Sequence, residues 1–141
     1  MLKVKVDVVK SLAKKYPVRV SNRIPLAMAK ILTGIDRQCK EDINAHMSAG
    51  ITYKNPGSTT MHTASKPNFP PNTNTGTLVK SIRWFVDKAK LTGGVGTDLK
   101  YGKHLEFGTM NMAPRPWLRP VVREWKQKIE GFMLKVLRER S

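Results

Sequence analysis

Trp117, Val121, Trp125, Ile129, Phe132 and Val136 recur at spacings of three and four, with Val122, Met133 and Leu137 beside them. Only a helix with one buried stripe brings residues so spaced to a single side. Such a stripe has to be covered, so the rest of the chain must supply a facing apolar surface. A second helical period supplies it: Met28, Ile31, Leu32, Ile35, Cys39, Ile43 and Met47 line up with Lys30, Arg37, Lys40 and Glu41 between them. The spacing predicts an amphipathic helix from about Ser21 to near Gly50, with Ser21 or Asn22 as N-cap and Pro25 tolerated in the opening turn.

Between and before these helices the period changes. Leu2, Val4, Val6 and Val8 alternate with Lys3, Lys5 and Asp7, the pattern of a half-buried strand. The run after Thr77 predicts a hairpin of Ser81 to Lys88 and Val95 to Leu99, turning around Gly93 and Gly94, with Gly96 read as a turn residue as well. Ile82, Trp84 and Val86 are expected to face one side of it, and Arg83, Phe85 and Asp87 the other. From about residue 54 to 75 the composition shifts to Pro, Gly, Ser, Thr and Asn. Pro56, Pro67, Pro70 and Pro71 deny regular ladders there, so a long loop is expected. A loop of that length inside a compact domain is usually functional, and here it is expected to reach an adjacent subunit through Tyr53, Met61 and Phe69. The expected fold is α+β, a single domain over 1–141: a small antiparallel sheet of N-terminal strand plus hairpin, packed with two helices.

Charge bears on partners. The chain has 26 Lys and Arg against 10 Asp and Glu, a formal charge of +16. The excess runs along the whole chain and forms no detachable tail, so it predicts long-range attraction to polyanions or acidic protein surfaces. The first residues break every short apolar pair with Lys or Asp, and neither a signal-peptide core nor a membrane span is expected. The lone Cys39 sits in an apolar period and reads as a small buried hydrophobe. A chain made and kept soluble in a cytoplasm is the resulting expectation.

Candidate chemistry is sparse. His46, His62 and His104 have no Cys, Asp or Glu at metal-ligand spacing. Glu41 and Asp42 are adjacent and point to different helix faces, and the glycines near 93 lack the lysine and helix that a phosphate cradle needs. No catalytic, cofactor-binding or metal-binding residue is assigned, and the expectation is a protein that is not an enzyme. A nucleic-acid-binding protein is the alternative function, because Lys and Arg interleave with Trp84, Phe85 and Tyr101. No sequence-reading motif accompanies them.

Two motifs remain. One is Thr75, Gly76, Leu78, Ser81 and Ile82 in the run TGTLVKSI. The other is Tyr101 and Gly102, then Glu106, Phe107, Gly108 and Thr109, then Arg115, Pro116, Trp117, Leu118, Arg119 and Pro120. In order and spacing they resemble the tail-component or tail-completion family of tailed, siphophage-like viruses. That family carries Thr-Gly-x-Leu-x-x-Ser-Ile after a Pro-rich loop, then Glu-Phe-Gly-Thr and a Pro-Phe/Trp-Leu-Arg-Pro segment. Trp117 stands where Phe is the more frequent residue.

The resemblance implies a structural virion protein of the neck, a head-tail connector subunit in a hexameric ring. Its implied neighbours are head-closure or adaptor proteins and tail-terminator or tail-tube proteins, with genomic DNA passing through the bore. The residues suggest structural roles for the motif. Pro114 and Pro116 hold an extended approach, Pro120 suits a first helical turn, Trp117 and Leu118 anchor the corner, and Gly108 supplies a backbone angle that a side chain would hinder. Glu106 is expected to pair with Arg115 and Arg119.

Overall fold

In the computed structural model, residues 2–5 and 23–138 are described. The chain order is β1 (Leu2–Lys5), α1 (Ile24–Asn44), β2 (Thr52–Lys54), β3 (Met61–Thr63), α2 (Thr77–Ser81), β4 (Arg83–Asp87), β5 (Thr92–Thr97), α3 (Lys100–Phe107) and α4 (Arg119–Arg138). The fold is α+β, as the periodicities predict. β1, β5 and β4 form an antiparallel sheet in that order, with Val4 and Trp84 both opposite Val95. β2 and β3 pair separately. Residues 6–9 of the expected first strand and the expected caps Ser21 and Asn22 lie outside the described residues.

α1 begins with Pro25 in its first turn and buries Ile24, Met28, Ile31, Leu32, Ile35, Cys39 and Ile43. It stops at Asn44, earlier than expected, because His46 takes a left-handed conformation (φ 49°). Met47 therefore falls off the stripe and is exposed. Thr73 satisfies the freed Ile43 carbonyl through both its amide (3.3 Å) and its hydroxyl (3.1 Å). α4 lies on α1 and buries Val121, Val122, Ile129, Met133 and Val136. Between the two helices Trp125 Nε1 donates to Gln38 Oε1 (2.7 Å), and Gln38 Nε2 donates to Glu124 (3.0 Å).

The Trp125 ring can sit there only because residue 34 is Gly: a Cβ on Gly34 would lie 2.3 Å from its Cη2. Gly34→Ala is therefore expected to destabilise by ~1–3 kcal/mol through overpacking, against the ~1 kcal/mol that Ala gains in helix propensity. In a Trp125→Leu background the same change should become neutral or stabilising. Chemical denaturation of the four proteins of this cycle measures it, and an unaltered cost of Gly34→Ala in that background would sink the contact as the cause.

The hairpin differs from expectation in its turn. Residues 88–91 make the connection, with Lys90 N–H on Asp87 Oδ1 (3.0 Å) and Leu91 at φ 50°. Gly93, Gly94 and Gly96 are strand residues. The reason is tertiary: a Cβ on Gly93 would come 2.7 Å from Leu32 Cδ1, so the glycine lets α1 settle onto the sheet. Ser81 belongs to α2 rather than to a strand. Ile82 is buried, but Trp84 stays 39% exposed although it is paired with buried Val95, since among the described residues β4 has one neighbouring strand.

The Pro- and Thr-rich stretch is more ordered than its composition suggests. β2 and β3 form a hairpin arm, extended by Ala64 N–H on Ile51 O (2.9 Å) and Gly50 N–H on Ala64 O (2.7 Å). Beyond β3, much of the chain up to α2 packs on its own domain and does not reach outward. Asn72 Nδ2 donates to Ser48 O (2.8 Å) and Thr63 O (3.0 Å), and Asn68 N–H to Pro114 O (2.9 Å). Prolines interrupt a ladder only at their own positions, and side-chain amides and hydroxyls supply the missing donors. Tyr53, Met61 and Phe69 remain exposed.

Candidate functional site: a corner and the groove beside it

The segment Glu106 to Pro120 folds into a corner whose centre is a buried carboxylate. Glu106, on the last turn of α3, has no solvent exposure. Its Oε2 accepts the amides of Trp117 (2.8 Å) and Leu118 (2.9 Å), and its Oε1 accepts the Arg119 amide (2.9 Å) and Nε (3.1 Å). These amides sit at the entry to α4, where helical backbone leaves N–H groups without partners and the helix dipole favours a negative charge. Pro120 comes next, with no N–H to satisfy. Glu106 is thus a cap delivered from another helix.

Arg119 is the ion-pair partner expected of it. Arg115 is not: its Nε donates to Ser65 O (3.1 Å) and its amide to Leu105 O. The extended Pro114–Pro116 approach turns the Arg115 side chain away from Glu106.

The rest of the motif builds on this cap. The Arg119 guanidinium stacks over Phe107 at 4.5 Å, a cation–π contact. Gly108 has φ 75° and ψ 176°, a conformation nearly restricted to glycine, and a Cβ there would meet Met112 O at 2.8 Å. Thr109 and Met112 then close a tight turn with Met110 fully exposed at its tip. Trp117 and Leu118 are buried, and Trp117 Nε1 donates to Gly102 O (2.9 Å).

The first motif is tied to the second through the sheet. Gly76, at φ 78°, precedes α2, which buries Leu78. Ser81 Oγ donates to Leu78 O (2.7 Å) and meets Thr97 Oγ1 (2.6 Å), while Thr97 Oγ1 also accepts the Leu99 amide (3.2 Å) at the start of α3. Thr75 and Thr77 share a hydroxyl contact of 2.8 Å.

Where the two motifs and the hairpin arm come together they enclose a groove of about 460 Å³. Thr75, Gly76, Thr77 and Leu78 form one wall, Tyr101, Leu105 and Arg115 another. The arm contributes Tyr53, His62 and Ala64, all on one face of its two strands, since Tyr53 is the cross-strand partner of His62 and Ala64 lies two residues along. The Tyr53 and His62 rings meet edge to face at 5.4 Å. Lys54 and Met61 point the other way.

Burial pushes the Tyr101 phenol up and the His62 imidazole down, His46 adding to the latter, so both ring groups favour their neutral forms. Two buried side chains of the wall have atoms without a hydrogen-bond partner: Ser65 Oγ, on a residue 1% exposed, and Asn72 Oδ1, on a residue 8% exposed. Sequence reasoning singled out neither, nor His62 as a groove residue. The one available signal was Asn72 directly after two prolines, a polar residue in a stretch too constrained to be a passive linker.

Cys39 is buried in the core, and desolvation, reinforced by Asp42, pushes its thiol far up, so it packs as a hydrophobe. Among the described residues no cluster of three metal-ligating side chains occurs, and no helix is long and apolar enough to cross a membrane. No model of a protein family, no curated protein and no solved structure matches the chain.

Proposed function

We propose that the protein is a structural subunit of a phage neck, a tail-completion or head-tail connector component that works by assembling and not by catalysis. Its copies associate side by side in a hexameric ring. Head-closure or adaptor proteins on one face and tail-terminator or tail-tube proteins on the other are its neighbours in the virion, and genomic DNA passes through the bore.

The observation that carries this reading is a set of exposed apolar side chains outside the core that the described residues form. Ile51 is 80% exposed and Met61 62%, and Phe69 and Met110 join them on loops outside the helical layer. Exposed apolar groups that gather into one patch mark surfaces that a partner covers, and we read these side chains as contacts for neighbouring subunits. The motif resemblance names the class of assembly, and the corner around Glu106 gives its residues a shared structural task. A charge of +16 suits an assembly that surrounds a polyanion.

The test is the mass of the purified full chain by native mass spectrometry, followed by imaging of the neck in an intact virion at a resolution that counts copies. A ring whose mass is independent of added DNA is expected. The same charge, with Trp84 half-exposed beside Arg83 on an open edge strand, favours the second reading, a nucleic-acid-binding protein. A monomer that binds short duplexes with a steep salt dependence would support that reading and overturn the first.

A further inference from the structure

We infer that the groove between α2, α3 and the hairpin arm is a docking site for an extended, acidic segment of a partner protein. This inference stands on the groove itself and is independent of the neck assignment.

Three features of the groove converge. Its size, about 460 Å³, lies in the range of built ligand sites and suits a few residues of extended chain rather than a folded surface. Its floor offers Ile43, Ala64, Leu78 and Leu105 to an aliphatic side chain. Its lining is neutral apart from one arginine, which sets the charge of what it can hold.

Charge decides which peptide. Among the described residues the groove lining contains no Asp or Glu, and its one permanent cation is Arg115. That guanidinium uses Nε on Ser65 O, and no carboxylate pairs with it among the described residues. A carboxylate of the occupant can take the terminal nitrogens in charge-assisted hydrogen bonds. Nucleic acid fits less well: tracking a phosphate backbone takes a series of Lys and Arg, whereas this lining has a single guanidinium, no lysine and an apolar floor.

The experiment titrates the isotope-labelled full chain with an end-blocked hexapeptide in which aliphatic and acidic residues alternate, monitored by nuclear magnetic resonance. The side-chain signals of Asn72 and Arg115 should shift, and the same peptide with lysine in place of the acids should bind at least about tenfold more weakly. Arg115→Gln should remove that preference. Because this change also deletes the bond to Ser65, a second variant, Thr77→Trp, fills the groove from an exposed wall position and should abolish binding with the melting temperature unchanged. Equal binding of the two peptides, unmoved groove signals, or undiminished binding by Thr77→Trp would overturn the inference. So would oligothymidylate shifting the groove signals where the acidic peptide does not, which would make nucleic acid the occupant.

Discussion

Glu106→Gln is expected to lower the stability of the folded chain by about 2–6 kcal/mol, ~1–3 kcal/mol for each of the two donors left without an acceptor. The carboxylate is fully buried and accepts four donors on its two oxygens. An amide keeps one oxygen. If that oxygen stays with Trp117 and Leu118, the new NH₂ faces the Arg119 amide and Nε, donor against donor, and the α4 entry loses half of its cap and a charge that the helix dipole favours. Since whole domains are stable by roughly 5–15 kcal/mol, a substantial share of the margin is at stake. Urea unfolding should show a lower midpoint with an unchanged slope. A midpoint equal to the parent's would mean that the cap is not what holds the corner.

Trp117→Ala should cost about as much by a different route. Truncating a buried large aromatic typically costs ~3–5 kcal/mol through lost burial and the cavity left behind. Here the Gly102 carbonyl also loses its indole donor. Trp117→Phe separates the two contributions, keeping most of the burial and losing only the hydrogen bond, so a milder loss of roughly 1–2 kcal/mol is expected. Thermal unfolding of both variants provides the measurement. Should the Ala variant melt like the parent and yet fail to oligomerise, Trp117 would be an interface residue and not a core one.

The two changes converge on one corner, so their effects should not add. Glu106 holds the amide of Trp117, whose ring in turn fastens α4 to α3 through Gly102. Once either tie is cut, less remains for the other change to break, and the double variant should lose less than the sum.

By itself the sequence determined the elements whose signal is periodic: α1 and α4, the N-terminal strand, the existence of the β4–β5 hairpin, and hence the α+β class. Those signals are local, because burying one face of a helix or strand imposes a spacing of 3.6 or 2 on the chain itself. Tertiary structure decided what depends on residues meeting across the chain. Gly93 read as a turn residue until α1 was laid against it with Leu32 at the position its side chain would fill. Glu106 read as an ion-pair partner of two arginines that are near it in sequence, but only folding shows that Arg115 turns to Ser65 while three backbone amides complete the carboxylate. Pattern cannot reveal a cap supplied from another helix, since no fixed spacing links donor and acceptor. The groove is the extreme case: Tyr53, Asn72, Leu78, Tyr101 and Arg115 come from different segments, and only the packing of the hairpin arm against α2 and α3 gives them a common wall.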